Sequence, residues 1–359
     1  MTEPKTNTEA KAKSNTEPKP DTAPFANVAL PTLDILDDAA IWTPEIERLV
    51  QAIVEQLRLD QPGMIVSGPQ RNGKSSACGY VAAILSDVVG YPVTTFTWTM
   101  PEEPAKSNRV FIQERMLQSN CGAVAHRDVA ILKNRLITHM VERAAAESAR
   151  RVAIFVDEAQ FLSRSDYGAL VFIFNELERR RVRPFFVLVG QPELKRVADD
   201  WLSEDKQQMV GRFSTRRHDY DGIHPDDLEK VLAGFDADDE GAENTAAYRA
   251  APQAYAEGWR VEQLAPLMRD AVRAVAKQQN VAEDVRLPMQ YLRSCLLAML
   301  YRSIQRGMRP ESLQLADAID CIRASNFASV LQYYVRMNKA ANSELRSAPV
   351  PEPRVEVPA

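Results

Sequence analysis

Met64-Ile65-Val66-Ser67-Gly68-Pro69-Gln70-Arg71-Asn72-Gly73-Lys74-Ser75-Ser76-Ala77 is the stretch whose reading decides the fold. Met64 to Val66 read as the end of a buried strand, Gly68-x-x-x-x-Gly73-Lys74-Ser75 is a complete P-loop pattern, and Ser75 to Leu85 can continue as a helix. Gly68 and Gly73 let the backbone through Pro69, Gln70, Arg71 and Asn72 turn, so that successive N–H groups, reaching on to Ser76, point into one concavity. The helix that starts near Lys74 adds its positive dipole end. Lys74 is placed to meet the outer phosphates of a triphosphate and the Ser75 hydroxyl to ligate Mg2+. The four fixed positions arise by chance in on the order of one chain of this size in a hundred. The flanking strand and helix make the reading sharper still.

The remaining composition bounds the class. With 359 residues, 45% hydrophobic and 26% charged, the chain can bury a core of one large or two modest domains. No apolar run approaches the roughly 18 residues of a membrane span, and Met1-Thr2-Glu3-Pro4-Lys5 lacks the apolar region of a secretory signal, so a cytoplasmic location without membrane contact is expected. Cys78, Cys121, Cys295 and Cys321 lie far apart and four histidines show no paired metal spacing, which leaves reduced, buried thiols. The net charge of −5 argues against a generally basic nucleic-acid binder. Asp219 to Asn244, however, holds ten acidic residues and one lysine, so the rest of the chain is about +4.

Outward from the P-loop the pattern alternates helix and strand. Thr43 as N-cap, Pro44 at the first helical position and an apolar stripe through Ile46, Leu49, Val50, Ile53 and Leu57 start a helix that leads into the P-loop strand. Pro92 to Met100 reads as a second strand, Pro101 to Asn108 as a break, and Val110–Leu117 and Asp128–Ser148 as helices, the latter followed by the basic pair Arg150-Arg151. Val152 to Val156 is a continuous apolar run ending in Asp157-Glu158, as expected of a strand buried on both faces of a parallel sheet. At the carboxyl end of such a strand Asp157 is placed to hold Mg2+ and Glu158 to activate a water. An amphipathic helix over Asp166–Arg179 ends in Arg179-Arg180-Arg181 and Arg183. The strand Phe185–Val189 then closes on Gly190-Gln191-Pro192, which sets Gln191 at the same crevice.

Leu194 to Trp201 makes a short helix, and Gly211 to His218 is a dense basic cluster. From His224 on the pattern is helical, over Pro225–Leu232, Val261–Gln279, Pro288–Gln305 and Leu313–Met337. Phe235 to Trp259 is acidic, alanine-rich and weakly periodic, either a mobile loop or an insertion. Four segments follow: a disordered arm over residues 1–30, an α/β nucleotide-binding domain over 31–223, an α-helical lid over 224–342, and a Pro-rich disordered tail over 343–359.

Gly68 to Ser75, Val156-Asp157-Glu158-Ala159-Gln160, Val187 to Leu194 and Arg212-Phe213-Ser214-Thr215-Arg216, followed by a helical lid, resemble AAA+ ATPases. The pairing of Asp157-Glu158-Ala159-Gln160 with Gly190-Gln191-Pro192-Glu193-Leu194 is similar to the group that contains the TniB and TnsC transposition regulators and the ExeA-type ATPases. The resemblance covers roughly residues 40–340. It implies ATP and Mg2+ as ligands, Lys74 and Ser75 as Walker A residues, and Asp157 and Glu158 as the Walker B pair. By the same carry-over Gln191 takes the place of sensor 1, Arg212 or, as second choice, Arg216 that of an arginine finger acting on a neighbouring subunit, and Arg293 that of sensor 2. Gln191 departs from the Asn, Ser or Thr that many AAA+ proteins carry there, and the acidic stretch has no counterpart.

The expected function is therefore ATP-dependent assembly into a ring or filament on duplex DNA, with recruitment of a transposase. Lys106, Arg109 and Arg115 are the candidate contacts to backbone phosphates. An ORC-type replication or plasmid-maintenance initiator and an ExeA-type protein-only switch are the alternatives.

Overall fold

The computed structural model describes residues 35–36, 41–122, 124–204, 206–237, 241–281 and 285–336. The expectations for residues 1–30 and 343–359 lie outside the described residues. In order, the elements are α1 (Pro44–Arg58), β1 (Gly63–Ser67), α2 (Lys74–Val89), β2 (Val93–Thr99), α3 (Asn108–Gln118), α4 (Val129–Ala146), β3 (Arg151–Asp157), α5 (Arg164–Arg179), β4 (Arg183–Gly190), α6 (Glu193–Ser203), α7 (Gln207–Phe213) and β5 (Arg217–Asp219). Helices α8 (Leu228–Ala233), α9 (Ala246–Ala250), α10 (Pro252–Ala256), α11 (Ala265–Gln278), α12 (Met289–Gln305) and α13 (Leu315–Ala324) follow, with short 3-10 turns between them. Residues 327–336 are helical as well.

The five strands form one parallel sheet in the order β2-β3-β4-β1-β5. Side chains alternate across it, as the two-residue period of a strand requires. Val152, Ile154 and Val156 of β3, with Phe186 and Leu188 of β4, enter the core under α3 to α7. Ala153, Phe155, Phe185, Val187 and Val189 enter the opposite core, under α1 and α2. Because both faces are covered, the strands read as unbroken apolar runs, and replacing a fully buried ring such as Phe155 by alanine costs about 3–5 kcal/mol.

Local chemistry sets the helix ends. The Thr43 hydroxyl accepts from Ile46 N at 3.2 Å with Pro44 behind it, and Asp128 caps α4 by accepting from Ala130 N at 2.8 Å. Ser163 and Asp166 form a reciprocal capping box on α5.

Beyond β5 a second core gathers the helical region, in which Ile223, Leu232, Val272, Leu296 and Phe327 are buried. Ile35, from the span expected to open the α/β domain, is buried in this helical core. Two expectations need revision. The described part of Phe235–Trp259 is no mere loop: α9 and α10 bury Ala246, Ala247, Ala250 and Ala254, whose small side chains admit close helix packing in place of an apolar stripe. The helix expected over Leu313–Met337 breaks at Ser325-Asn326, where Asn326 takes a left-handed φ of 66°. The basic cluster contributes an edge strand, β5, too short at three residues to leave an alternating pattern.

Candidate active site

The loop between β1 and α2 stands at the carboxyl end of the sheet, between the neighbouring ends of β4 and β5. Gly68 packs so closely on the backbone of Tyr220 that a Cβ there would lie 2.0 Å from the Tyr220 carbonyl oxygen. Gly73 has φ +94° and stands immediately before the helix, a conformation that L side chains rarely adopt. Asn72 ties the loop down by donating to Tyr220 O at 3.2 Å, while its Oδ1 is buried with no hydrogen-bond partner among the described residues. Lys74 is almost wholly buried and donates to the carbonyls of Gly68 and Pro69 at 2.8 and 2.7 Å. Burial pushes its ammonium below the ordinary lysine range, against the pull of Glu158 and Asp157. A buried cation held by loop carbonyls suits exchange onto phosphate oxygens.

Asp157 and Glu158 close β3 beside this loop. Glu158 holds a left-handed φ of 54°, an unusual conformation for a residue with a Cβ, and its N–H is fixed by Asp157 Oδ1 at 2.9 Å. Gln160 donates to Glu158 Oε2 at 2.5 Å and accepts from the backbone N–H of Gln191 at 3.1 Å. Gln70, on the P-loop, donates to the Gln191 side chain at 2.9 Å. Gln70 and Glu158 are thus linked through Gln191 and Gln160 in one hydrogen-bonded chain. Gln160 was overlooked as a site residue. The signal was Gly190, where a Cβ would sit 2.4 Å from Gln160 Oε1.

The helical region closes the other side. Met289, Gln290 and Arg293, on the first turns of α12, line a cavity of about 600 Å³ together with Gln70, Arg71, Gly73, Lys74, Ser75, Ser76 and Glu158. Gln290 N donates to Arg71 O at 3.3 Å, Tyr334 Oη to Gln70 O at 3.1 Å, and the Arg71 guanidinium lies 5.7 Å from the Tyr291 ring centre. A second cavity of about 260 Å³, of mixed lining, shares Gly73, Ser76, Met289 and Arg293 with the first and adds Thr43 and Asn72 with Ile41, Ile46, Ala77, Tyr220 and Ile223. Two adjoining cavities, one of them lined by Lys74 and Arg293, offer room and positive charge for a nucleotide. The orphaned Asn72 Oδ1 and the glycine-lined cradle fit such a ligand. Ser75 and Asp157 are the side chains that would hold Mg2+, and the ion would supply positive charge against the phosphates. Among the described residues no cluster of three or more metal-ligating His, Cys, Asp or Glu side chains occurs.

Arg212 and Arg216 are not brought to this crevice. Arg212 lies beside Gly63, at the first residue of β1, where it donates to Gln208 O and Asn175 Oδ1 at 3.0 and 3.1 Å and covers the Phe174 ring. Arg216 pairs with Glu55 on α1. Arg115, expected to face DNA, is fully buried: its guanidinium contacts Met100 Sδ, pairs with Glu114 and packs on Phe111. The α3 stripe buries Phe111, Ile112, Arg115 and Met116, so helical periodicity alone turns Arg115 inward. Lys106 and Arg109 remain exposed.

Residues 57–197 match the family model of an AAA domain. No curated protein matches the sequence. Among solved structures, the chain is similar to the Aeropyrum pernix ORC2 protein in its ADPNP-ADP complexes, at 15% identity and a TM-score of 0.55, over 88% of this chain and 75% of that one. It is similar to the ADP form of the same protein at 13% identity and a TM-score of 0.53, over 81% and 72% of the two chains. The parallel five-stranded sheet with flanking helices and the helical region after it are the AAA+ P-loop fold. No helix among the described residues is long and apolar enough to cross a membrane.

Proposed function

We propose that this protein binds ATP with Mg2+ between its α/β core and its helical lid, hydrolyses it, and assembles with further copies of itself on duplex DNA while the triphosphate is bound. Lys74 neutralises the outer phosphates, Ser75 and Asp157 hold the metal, Glu158 orients and activates the attacking water, and Gln191 and Arg293 contact the terminal phosphate from core and lid. The observation that carries this reading is the convergence of Lys74, Glu158, Gln70 and Arg293 on one cavity, with a second cavity of about 260 Å³ adjoining it. Placement of Arg212 and Arg216 at the far end of β1 supports a role for one of them at a neighbour's site. A fixed guanidinium charge there would complete hydrolysis only in the assembled state.

The process served is, in this reading, the control of transposition by target selection and transposase recruitment, on the motifs shared with TniB and TnsC. The test is ATP turnover measured across protein concentration with and without duplex DNA. Turnover that rises faster than protein concentration, and rises further with DNA, supports the account; linear, DNA-indifferent turnover favours the ExeA-type switch. Strong preference for one DNA sequence over bulk competitor would select the ORC-type initiator instead.

A further inference from the structure

At the amino end of the sheet, opposite the nucleotide crevice, lies a cleft of about 730 Å³ that the catalytic account does not use. It is built by the segments that enter the strands. Arg151 and Arg183 open β3 and β4 and stand in register on adjacent strands. Arg58 ends α1, Arg150 precedes β3, and Arg181 occupies the turn before β4 with a left-handed φ of 62°. Five arginines therefore line one cleft that contains two carboxylates, Asp60 and Glu178.

Their pairing is uneven. Asp60 takes both Arg151 and Arg183, the latter at 2.7 Å. Against a desolvation cost that raises it, these two guanidinium groups hold its carboxyl below the ordinary range. Arg58, Arg150 and Arg181 are exposed and make no side-chain hydrogen bond or ion pair among the described residues. Clustering like charges costs energy unless a ligand compensates them, and the guanidinium fork fits phosphate oxygens. Tyr91, 37% exposed on the same cleft, offers a flat apolar surface to a sugar or base.

We infer that this arginine cleft binds the phosphate backbone of nucleic acid, and that it, more than Lys106 and Arg109, is the protein's DNA contact. The inference rests on the DNA-dependent assembly put forward above. Its location leaves the nucleotide crevice free, so that ATP and DNA occupy opposite ends of one rigid sheet.

The experiment uses the full-length protein, a non-hydrolysable ATP analogue, and a fluorescent 30-base-pair duplex or its single strand, read by anisotropy over a salt series. The double variant Arg150→Glu/Arg181→Glu changes two exposed side chains, and ATP turnover without DNA reports that the fold and the crevice are intact. Its affinity is expected to fall about tenfold or more, with the slope of log K against log salt shallower by roughly 2, while Lys106→Glu/Arg109→Glu falls less. Loss on the duplex alone, or on both probes, supports the cleft and identifies the form it takes. Wild-type binding by the cleft variant overturns the inference and leaves DNA-dependent assembly standing. Polyglutamate that displaces DNA as well as unlabelled DNA overturns it too, by showing a surface that takes any polyanion. Wild-type protein that binds neither probe removes the parent reading and this one together.

Discussion

The carboxylate of Glu158 accepts a hydrogen bond of 2.5 Å from the side-chain amide of Gln160, two residues further along the chain. The same amide receives the Gln191 N–H, so Glu158 and Gln191, the proposed water-activating and phosphate-sensing groups, share one anchor. Gln160→Ala should lower kcat roughly ten- to a hundredfold with KM little changed, because Glu158 loses its fixed orientation. Gly190→Ala should act the same way by pushing the amide aside. Steady-state kinetics decide the matter, and an unchanged kcat in both variants removes Gln160 from this role.

Lys74 and Glu158 line the same cavity, and their losses should differ in kind. Lys74→Ala should abolish binding of a fluorescent ATP analogue. Glu158→Gln should bind it normally while turnover falls at least about a hundredfold. Normal turnover in Glu158→Gln contradicts the assignment.

Because Arg212 stands at the opposite end of β1 from the P-loop, its effect on hydrolysis should appear only between subunits. Arg212→Ala should be inactive alone at assembly-saturating concentration. Mixed with Glu158→Gln, which binds triphosphate and keeps its own finger, it should regain a measurable fraction of wild-type turnover. Failure of the mixture to recover, or full activity of Arg212→Ala alone, moves the finger elsewhere, with Arg216 as the next candidate.

His218 sits in β5 with Nε2 buried and unpartnered among the described residues. Burial lowers its pKa from 6.5 to about 4. The unfolded chain then takes up a proton below pH 6.5 that the folded chain refuses until near pH 4. Stability is therefore fully present above 6.5 and falls as the pH drops through that window, by at most about 3 kcal/mol. Urea unfolding of His218→Gln between pH 4 and 7 should show a shallower pH slope than wild type.

What the sequence made legible is chemistry carried by contiguous residues. Gly68 to Ser75, Asp157-Glu158 and Gly190-Gln191 each announce themselves by a local pattern at the end of an apolar run, and the sheet gathers them as parallel topology requires. Arg115 was misread because exposure was inferred from charge, whereas its position on the buried stripe of α3 decides it. The second cavity was invisible, since Ile41, Tyr220 and Met289 come from segments nearly 250 residues apart. The arginine cleft was half visible: Arg150-Arg151 and Arg179 to Arg183 stood out as basic runs, but only strand register shows that Arg151 and Arg183 are neighbours and that Arg58 joins them.

The central claim, that triphosphate in this crevice drives assembly on DNA, is tested most directly by electron microscopy of the purified protein with a non-hydrolysable ATP analogue, with and without duplex DNA. Rings or filaments that require both ligands, and that are absent for Lys74→Ala, are the predicted result. Assembly that forms equally without DNA, or particles that stay monomeric with both ligands present, would contradict it.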